Sequence, residues 1–296
     1  MAAFPVPRSR GHPASSSSPR RPMSLFTRDV TVCVLSSGSA GNCTYVGDGH
    51  AGVLIDCGVS TKQILSRMAE VGLGDAPIDA VLVTHEHSDH VGAAAVLGRA
   101  LAKRGRPVPF YMTRGTNEGI PDPCVPDGVE LIEAGRSFRV RHLLVEPIPV
   151  PHDTRDPVAY RINVGDAAVA VITDLGRPTA LLARHMRECH ALVLEFNHDE
   201  EMLMEGPYPY PLKQRIKSNH GHLSNAQAQA LLMDGLGDHL HYLMLAHLSE
   251  ENNTPTRALV AAQRTLQDGG AFGRVDVKVC LQRTALPPVR VQTSSW

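Results

Sequence analysis

With 296 residues, 43% of them hydrophobic, and a mean hydropathy of −0.12, the chain can bury a full core, which excludes global disorder. Its apolar runs stop short of the roughly 18 residues a membrane span needs, so no membrane partner is expected. A net charge of −1 gives no global drive toward nucleic acid, and any such partner must be argued from local patches.

Residues 1–22 carry prolines at 5, 7, 13, 19 and 22, arginines at 8, 10, 20 and 21, four consecutive serines and no acidic residue. That composition cannot form a core, so residues 1–23 are expected to be a disordered extension, with Met23 an alternative start. The apolar stretch of a secretory signal is absent. The cysteines at 33, 43, 57, 124, 189 and 280 form no C-x-x-C pair and lie mostly in apolar runs. They are expected to be buried, reduced thiols of a cytoplasmic protein.

From Val30 the pattern is strand, turn, strand: 30–35, a small-residue loop 36–42, then strands 43–46 and 51–55 ending at Asp56. The loop could cradle an anion through its N–H groups or form a tight turn. A helix over 61–71 precedes the β-branched run 79–84. Next comes Thr84-His85-Glu86-His87-Ser88-Asp89-His90, three imidazoles and a carboxylate in a strand-to-helix loop before a helix over 91–103. Capping a helix needs one such residue, not four, so this cluster points to a metal.

Strand-like runs follow at 108–112, 129–133 and 138–150, the last ending in Pro151-His152. Residues 158–164 and 168–173 form a hairpin ending at Asp174, and a helix over 179–188 leads to strand 191–196 and His198. Ser224-x-x-Gln227 opens a helix through Leu236. Strand 241–246 ends at His247, a helix spans 255–267, a last strand spans 275–281, and residues 284–296 read as a poorly ordered tail. No linker interrupts residues 30–283, and residues 24–283 are expected to form one two-sheet domain with helices outside.

Metal-ligand types thus recur at strand ends: Asp56, His85 and His87, His152, Asp174, Glu195 with His198, and His247. Strand ends of one sheet converge on one rim, so these residues can share a site. The order Asp56, His85-x-His87-x-Asp89-His90, His152, Asp174, His247 resembles the five-motif pattern of the metallo-β-lactamase superfamily. The resemblance covers about residues 30–283 and implies an αββα sandwich with a two-metal site on one edge. It implies one metal held by His85, His87 and His152, a second by Asp89, His90 and His247, with Asp174 bridging and Asp56 in support. No cysteine stands at the bridging position, unlike in the true β-lactamases.

The segments 37–43, 195–199, 206–215, 220–225 and 247–253 resemble the YycJ (WalJ) subfamily of metal-dependent hydrolases, which implies a 5′-to-3′ DNA exonuclease. The chain has no room for the inserted domain of the RNase J type and no evident glycine-rich arm of the tRNase Z type. Two divalent ions, Zn²⁺ or Mn²⁺, would then generate a metal-bridging hydroxide that attacks a phosphodiester.

Asp89 belongs to this catalytic set, and His222 and His198 are candidates to protonate the leaving oxygen or grip a phosphate, or else to orient a neighbour. Glu195 is expected to orient a ligand. Tyr208, Tyr210, Lys213, Arg215 and Lys217 read as a loop that could hold single-stranded DNA or 5′ ends by stacking and phosphate contact, or simply be a proline-stiffened surface. The alternative substrate is a small phosphodiester or thioester.

Overall fold

The computed structural model describes residues 1–2 and 29–292. All but the first two residues of the expected N-terminal extension therefore lie outside the described residues. The first sheet starts as an antiparallel meander of β1 (Val30–Ser36), β2 (Cys43–Gly47) and β3 (Gly52–Ile55). It continues in parallel through β4 (Ala80–Leu82), β5 (Phe110–Thr113) and β6 (Val129–Ile132). The crossovers are α1 (Thr61–Glu70), then α2 (Ser88–Val91) with α3 (Ala94–Lys103), then α4 (Arg114–Gly119) with a 3₁₀ turn at Asp122–Cys124.

The second sheet repeats this plan. Strands β7 (Phe138–Val140), β8 (Leu143–Pro149), β9 (Val158–Val164) and β10 (Ala167–Ile172) form the meander. Strands β11 (Ala191–Glu195), β12 (Tyr242–Ala246) and β13 (Asp276–Val279) run parallel beyond β10. Helix α5 (Ala180–Met186) makes the first crossover; α6 (Glu200–Glu205), α7 (Tyr210–Lys217) and α8 (Asn225–Gly235) the second; α9 (Pro255–Asp268) the third.

Three apolar clusters define four layers. Between the sheets, Val32, Val34 and Ile55 of the first meet Tyr160, Val171 and Met244 of the second. The alternate residues Leu35 and Leu54 face Ile64 of α1 and Leu97 of α3. On the far side, Ile172 and Leu194 face Leu182 of α5, Leu231 of α8 and Ala262 of α9. Strands covered on both faces read as near-continuous apolar runs, which is why they were legible in the sequence. The expected αββα sandwich is what forms.

Several expectations are corrected. The run 138–150 is a hairpin, split where Arg141 turns with φ 54°. Residues 208–217 are largely helix α7, because Pro209 and Pro211 occupy its cap and first turn, where proline is tolerated. The cysteines are free and five are buried, but Cys124 is half-exposed.

Part of the expected tail is a strand, while residues 293–296 lie outside the described residues. Strand β14 (Val289–Val291) pairs antiparallel with the edge of β1, and Val289 and Val291 enter the inter-sheet core. Among the described residues, no helix is long and apolar enough to cross a membrane. Deleting residues 286–296 is expected to lower the thermal unfolding midpoint, since each buried valine contributes about 1.5–3 kcal/mol. An unchanged midpoint in a thermal melt would show that β14 adds nothing.

Candidate metal centre

Six of the polar residues follow or end strands on one edge of the sandwich: Asp56 after β3, His85 after β4, His152 after β8, Asp174 after β10, Glu195 on β11 and His247 after β12. Asp56, Asp174 and His247 have φ of 61°, 59° and 53°, the left-handed region that costs a non-glycine residue about 1–3 kcal/mol. A single such residue turns the chain sharply as it leaves the sheet. His87 precedes α2, and Asp89 and His90 are two of its four residues. The α2 backbone is held tightly: Asn42 N–H donates to Asp89 O and Cys57 N–H to His90 O. A Cβ on Gly58 would lie 1.7 Å from Asp89 O, so only glycine permits that approach.

The first group is three imidazoles. His87 Nδ1 lies 3.2 Å from His85 Nε2 and 3.4 Å from His152 Nε2. A tetrahedral site with bonds of 2.0–2.1 Å has edges of about 3.3 Å, which both separations match, and all three side chains offer a nitrogen within 4.8 Å of the others. The second group surrounds Asp174. Its Oδ2 is 3.1 Å from His90 Nε2 and 2.8 Å from His247 Nδ1, while Asp89 Oδ2 is 3.4 Å from His90 Nε2 and 3.9 Å from His247 Nε2. Asp174 Oδ1 faces the other way, 3.9 Å from His152 Nε2 and 3.5 Å from His222 Nδ1. One carboxylate therefore offers an oxygen to each side.

A shell of hydrogen bonds fixes these rings. Asp56 accepts from His90 Nδ1 at 2.8 Å and from the Thr84 hydroxyl and amide, leaving His90 Nε2 for Asp174. His152 Nδ1 lies 3.0 Å from Gly221 O, which aims its Nε2 at His87. Glu195 is fully buried and accepts from His222 Nδ1 at 2.8 Å and from Leu175 N–H.

Sequence reasoning missed Asn42, whose Nδ2 donates to Asp89 Oδ2 at 3.3 Å, Ser37, whose hydroxyl accepts from His247 N–H at 2.7 Å, and Asp153, 3.4 Å from His152 Nε2. Only adjacency to a predicted ligand could have flagged Asp153. The loop 36–42 is a tight turn: four of its N–H groups are spent on Asn42 Oδ1, Gly38 O, Gln282 Oε1 and Asp89 O.

Burial, then repulsion from neighbouring imidazoles, holds His85 well below the ordinary histidine value, and burial lowers His152. The lowering favours the neutral ring, the form that can offer a lone pair to a cation. For His90 and His247 burial works the same way, but Asp174 more than offsets it and raises both. Burial alone would raise Asp174, yet His247 and His90 hold it well below the carboxylate range. For His222 burial again opposes the charge, and Glu195 outweighs it, raising the ring to about 9.

A cavity of about 260 Å³ opens over this cluster, lined by Asp89, Asp174, His222 and His247 and walled by Tyr208, Leu212, Arg215 and Ile216. Of the expected substrate contacts, Tyr208 and Arg215 line it. Lys213 instead donates to Met204 O at the end of α6, while Tyr210 and Lys217 are exposed and outside the cavity wall. His198 is not brought to the cavity. It is 1% exposed, neither ring nitrogen has a hydrogen-bond partner among the described residues, and burial pushes it to about 4, so it holds no proton to donate at neutral pH.

A family profile described as "Beta-lactamase superfamily domain" matches residues 52–247. With its two-sheet sandwich and edge cluster, the chain belongs to the metallo-β-lactamase superfamily of hydrolases. Within that class its similarity is to the YycJ/WalJ exodeoxyribonucleases. It is 34% identical over 245 residues to exodeoxyribonuclease YycJ of Bacillus anthracis, covering 81% of this chain and 90% of that one. It is 33% identical over 251 residues to exodeoxyribonuclease WalJ of Streptococcus pneumoniae, covering 83% and 91%. The metallo-β-lactamase fold protein YhfI of Bacillus subtilis superposes with a TM-score of 0.65 at 16% identity, over 87% of this chain and 99% of that one, a likeness of fold.

Replacing Asp56 by alanine is expected to weaken zinc binding about 10–100-fold by releasing His90, as removal of a ligand's hydrogen-bond partner does elsewhere. Calorimetric zinc titration of the folded variant checks this, and an unaltered affinity would remove Asp56 from the site.

Proposed function

We propose that the chain is a nuclease that cleaves phosphodiester bonds in DNA with two divalent cations, Zn²⁺ or Mn²⁺, working exonucleolytically from a 5′ end. The observation that carries this reading is Asp174, with one oxygen toward His90 and His247 and the other toward His152 and His222. His85, His87 and His152 would hold one cation; Asp89, His90 and His247 the other; Asp174 would be shared. When bound, the cations would acidify a water and neutralise the phosphoryl oxygens.

The protein's own residues account for the rest. Asp56 and the Gly221 carbonyl orient His90 and His152, so that the Nε2 of each ring faces inward. His222, held protonated by Glu195 at the cavity wall, is the donor to the leaving oxygen, because a general acid must carry its proton at working pH. The polymer is supported by the YycJ and WalJ relatives' names and by the cationic, aromatic wall that Tyr208 and Arg215 supply. A small phosphodiester or thioester is the competing substrate, favoured by the modest 260 Å³ of the cavity.

Labelled 5′-phosphorylated single-stranded DNA incubated with the Mn²⁺- or Zn²⁺-loaded protein should shorten from the 5′ end, and Asp89→Ala should abolish this. Absence of cleavage with either ion would leave the small-substrate reading. His222→Ala is expected to lower kcat about 10²–10⁴-fold with little change in KM. Since the raised pKa keeps His222 protonated until pH climbs through about 9, activity should fall on the alkaline side. Bound cations would lower that value, so about 9 is its ceiling. Glu195→Gln should move the limb to lower pH, and a pH–rate profile unaffected by Glu195→Gln would exclude this acid.

A further inference from the structure

Arg215 stands apart from the other basic residues of α7 because of how it is held. Its Nε donates to Asp153 Oδ2, and among the described residues its two terminal nitrogens have no hydrogen-bond partner. Arg215 and Asp153 both line the cavity over the metal centre. The other oxygen of Asp153 lies 3.4 Å from His152 Nε2, so the pair bridges from a ligand of the first cluster to the helix.

Helix α7 is itself fixed against that cluster. His222 N–H donates to Ile216 O, Gly221 O meets His152 Nδ1, and a Cβ on Gly221 would come within 2.3 Å of Arg215 O. Leu212, Arg215 and Ile216, at i, i+3 and i+4, present one face of the helix to the cavity.

An ion pair that served only to fasten α7 could use either edge of the guanidinium. Engagement through Nε alone leaves the Nη1/Nη2 edge, the planar fork that matches two phosphate oxygens. Asp89, Asp174 and Asp153 bring carboxylates to the cavity, and a cation fixed at its rim offsets them where a neighbouring phosphate would lie. Lysine at this position would supply charge without the fork.

We infer that Asp153 and Arg215 form a phosphate-recognition unit, in which Asp153 holds the guanidinium through Nε and the free fork binds a substrate phosphate beside the one being cleaved. The inference rests on the nucleic-acid reading above. Asp153 is here a positioning residue and Arg215 the contact, which makes the pair a determinant of specificity for substrates with at least two phosphates.

The test is binding of a fluorescent single-stranded phosphorothioate oligonucleotide, which resists cleavage, to the metal-loaded full chain across a salt series, with kcat and KM measured separately on the cleavable oligonucleotide. Arg215→Ala should weaken binding about ten- to hundredfold. It should also reduce the slope of log K against log salt by about 0.7, the value of one lost phosphate contact on a single strand. Arg215→Lys should restore the slope but not the affinity, and Asp153→Asn should raise KM more than it lowers kcat. Arms with and without a terminal phosphate monoester distinguish an end phosphate from an internal one. If Arg215→Ala lowers the melting temperature and leaves the slope unchanged, the pair is only a tether and the inference falls alone. If the unaltered protein binds no oligonucleotide, the nucleic-acid reading falls and takes the inference with it.

Discussion

The Asp174 carboxylate is the constraint around which the rest of the molecule is arranged. It is 2% exposed, and moving an ion into such a place costs several kcal/mol unless partners compensate. Four imidazoles approach it, two on each oxygen, and the distances are unequal. The short contacts of Oδ2 raise His90 and His247, whereas on the Oδ1 side burial leaves His152 lowered. One carboxylate thereby joins three rings that favour their protons, His90, His247 and His222, to one, His152, that favours a lone pair. Both states are consistent with divalent-metal binding, since cations can replace protons on some rings and meet the lone pair of another.

That arrangement needs strand ends from two sheets at one edge, and the repeated plan of the halves provides it. Each half has an antiparallel meander followed by parallel strands with helical crossovers, and the two sheets pack face to face through Val34, Ile55, Tyr160 and Val171. Ligands of open parallel sheets gather beyond the carboxyl ends of strands, and here β4, β10, β11 and β12 all end at the cluster. The left-handed residues Asp56, Asp174 and His247 show where the chain is bent to bring side chains over the edge. Their backbone strain is held in place by contacts such as His247 N–H to Ser37 Oγ and Asp56 N–H to Leu82 O.

Most strands and the His-x-His-x-Asp-His cluster were legible because each signal is local. An apolar run covered on both faces is unbroken, and His-x-His-x-Asp-His has few uses other than metal. The capping box at Ser224 and Gln227 was equally local and forms as expected. Helix α7 was hidden by its prolines, whose meaning depends on whether they fall at a helix start or inside it. Strand β14 was hidden because three residues have no periodicity to detect, and their partner is β1, some 260 positions away. His198 looked like a candidate by position, yet its burial removes it from the cavity.

The sequence by itself determined the sandwich, the family resemblance and which side chains could bind metal, since these depend on residue type and spacing along a strand or turn. Only the tertiary structure decided which oxygen of Asp174 faces which imidazole, that Glu195 serves His222, that Asn42 and Ser37 brace the ligands, and that Arg215 rather than Lys213 or Lys217 reaches the cavity. Those outcomes depend on angles and distances between segments far apart in the chain. A hydrogen bond forms or fails over less than an ångström, a scale fixed by packing and not by sequence separation.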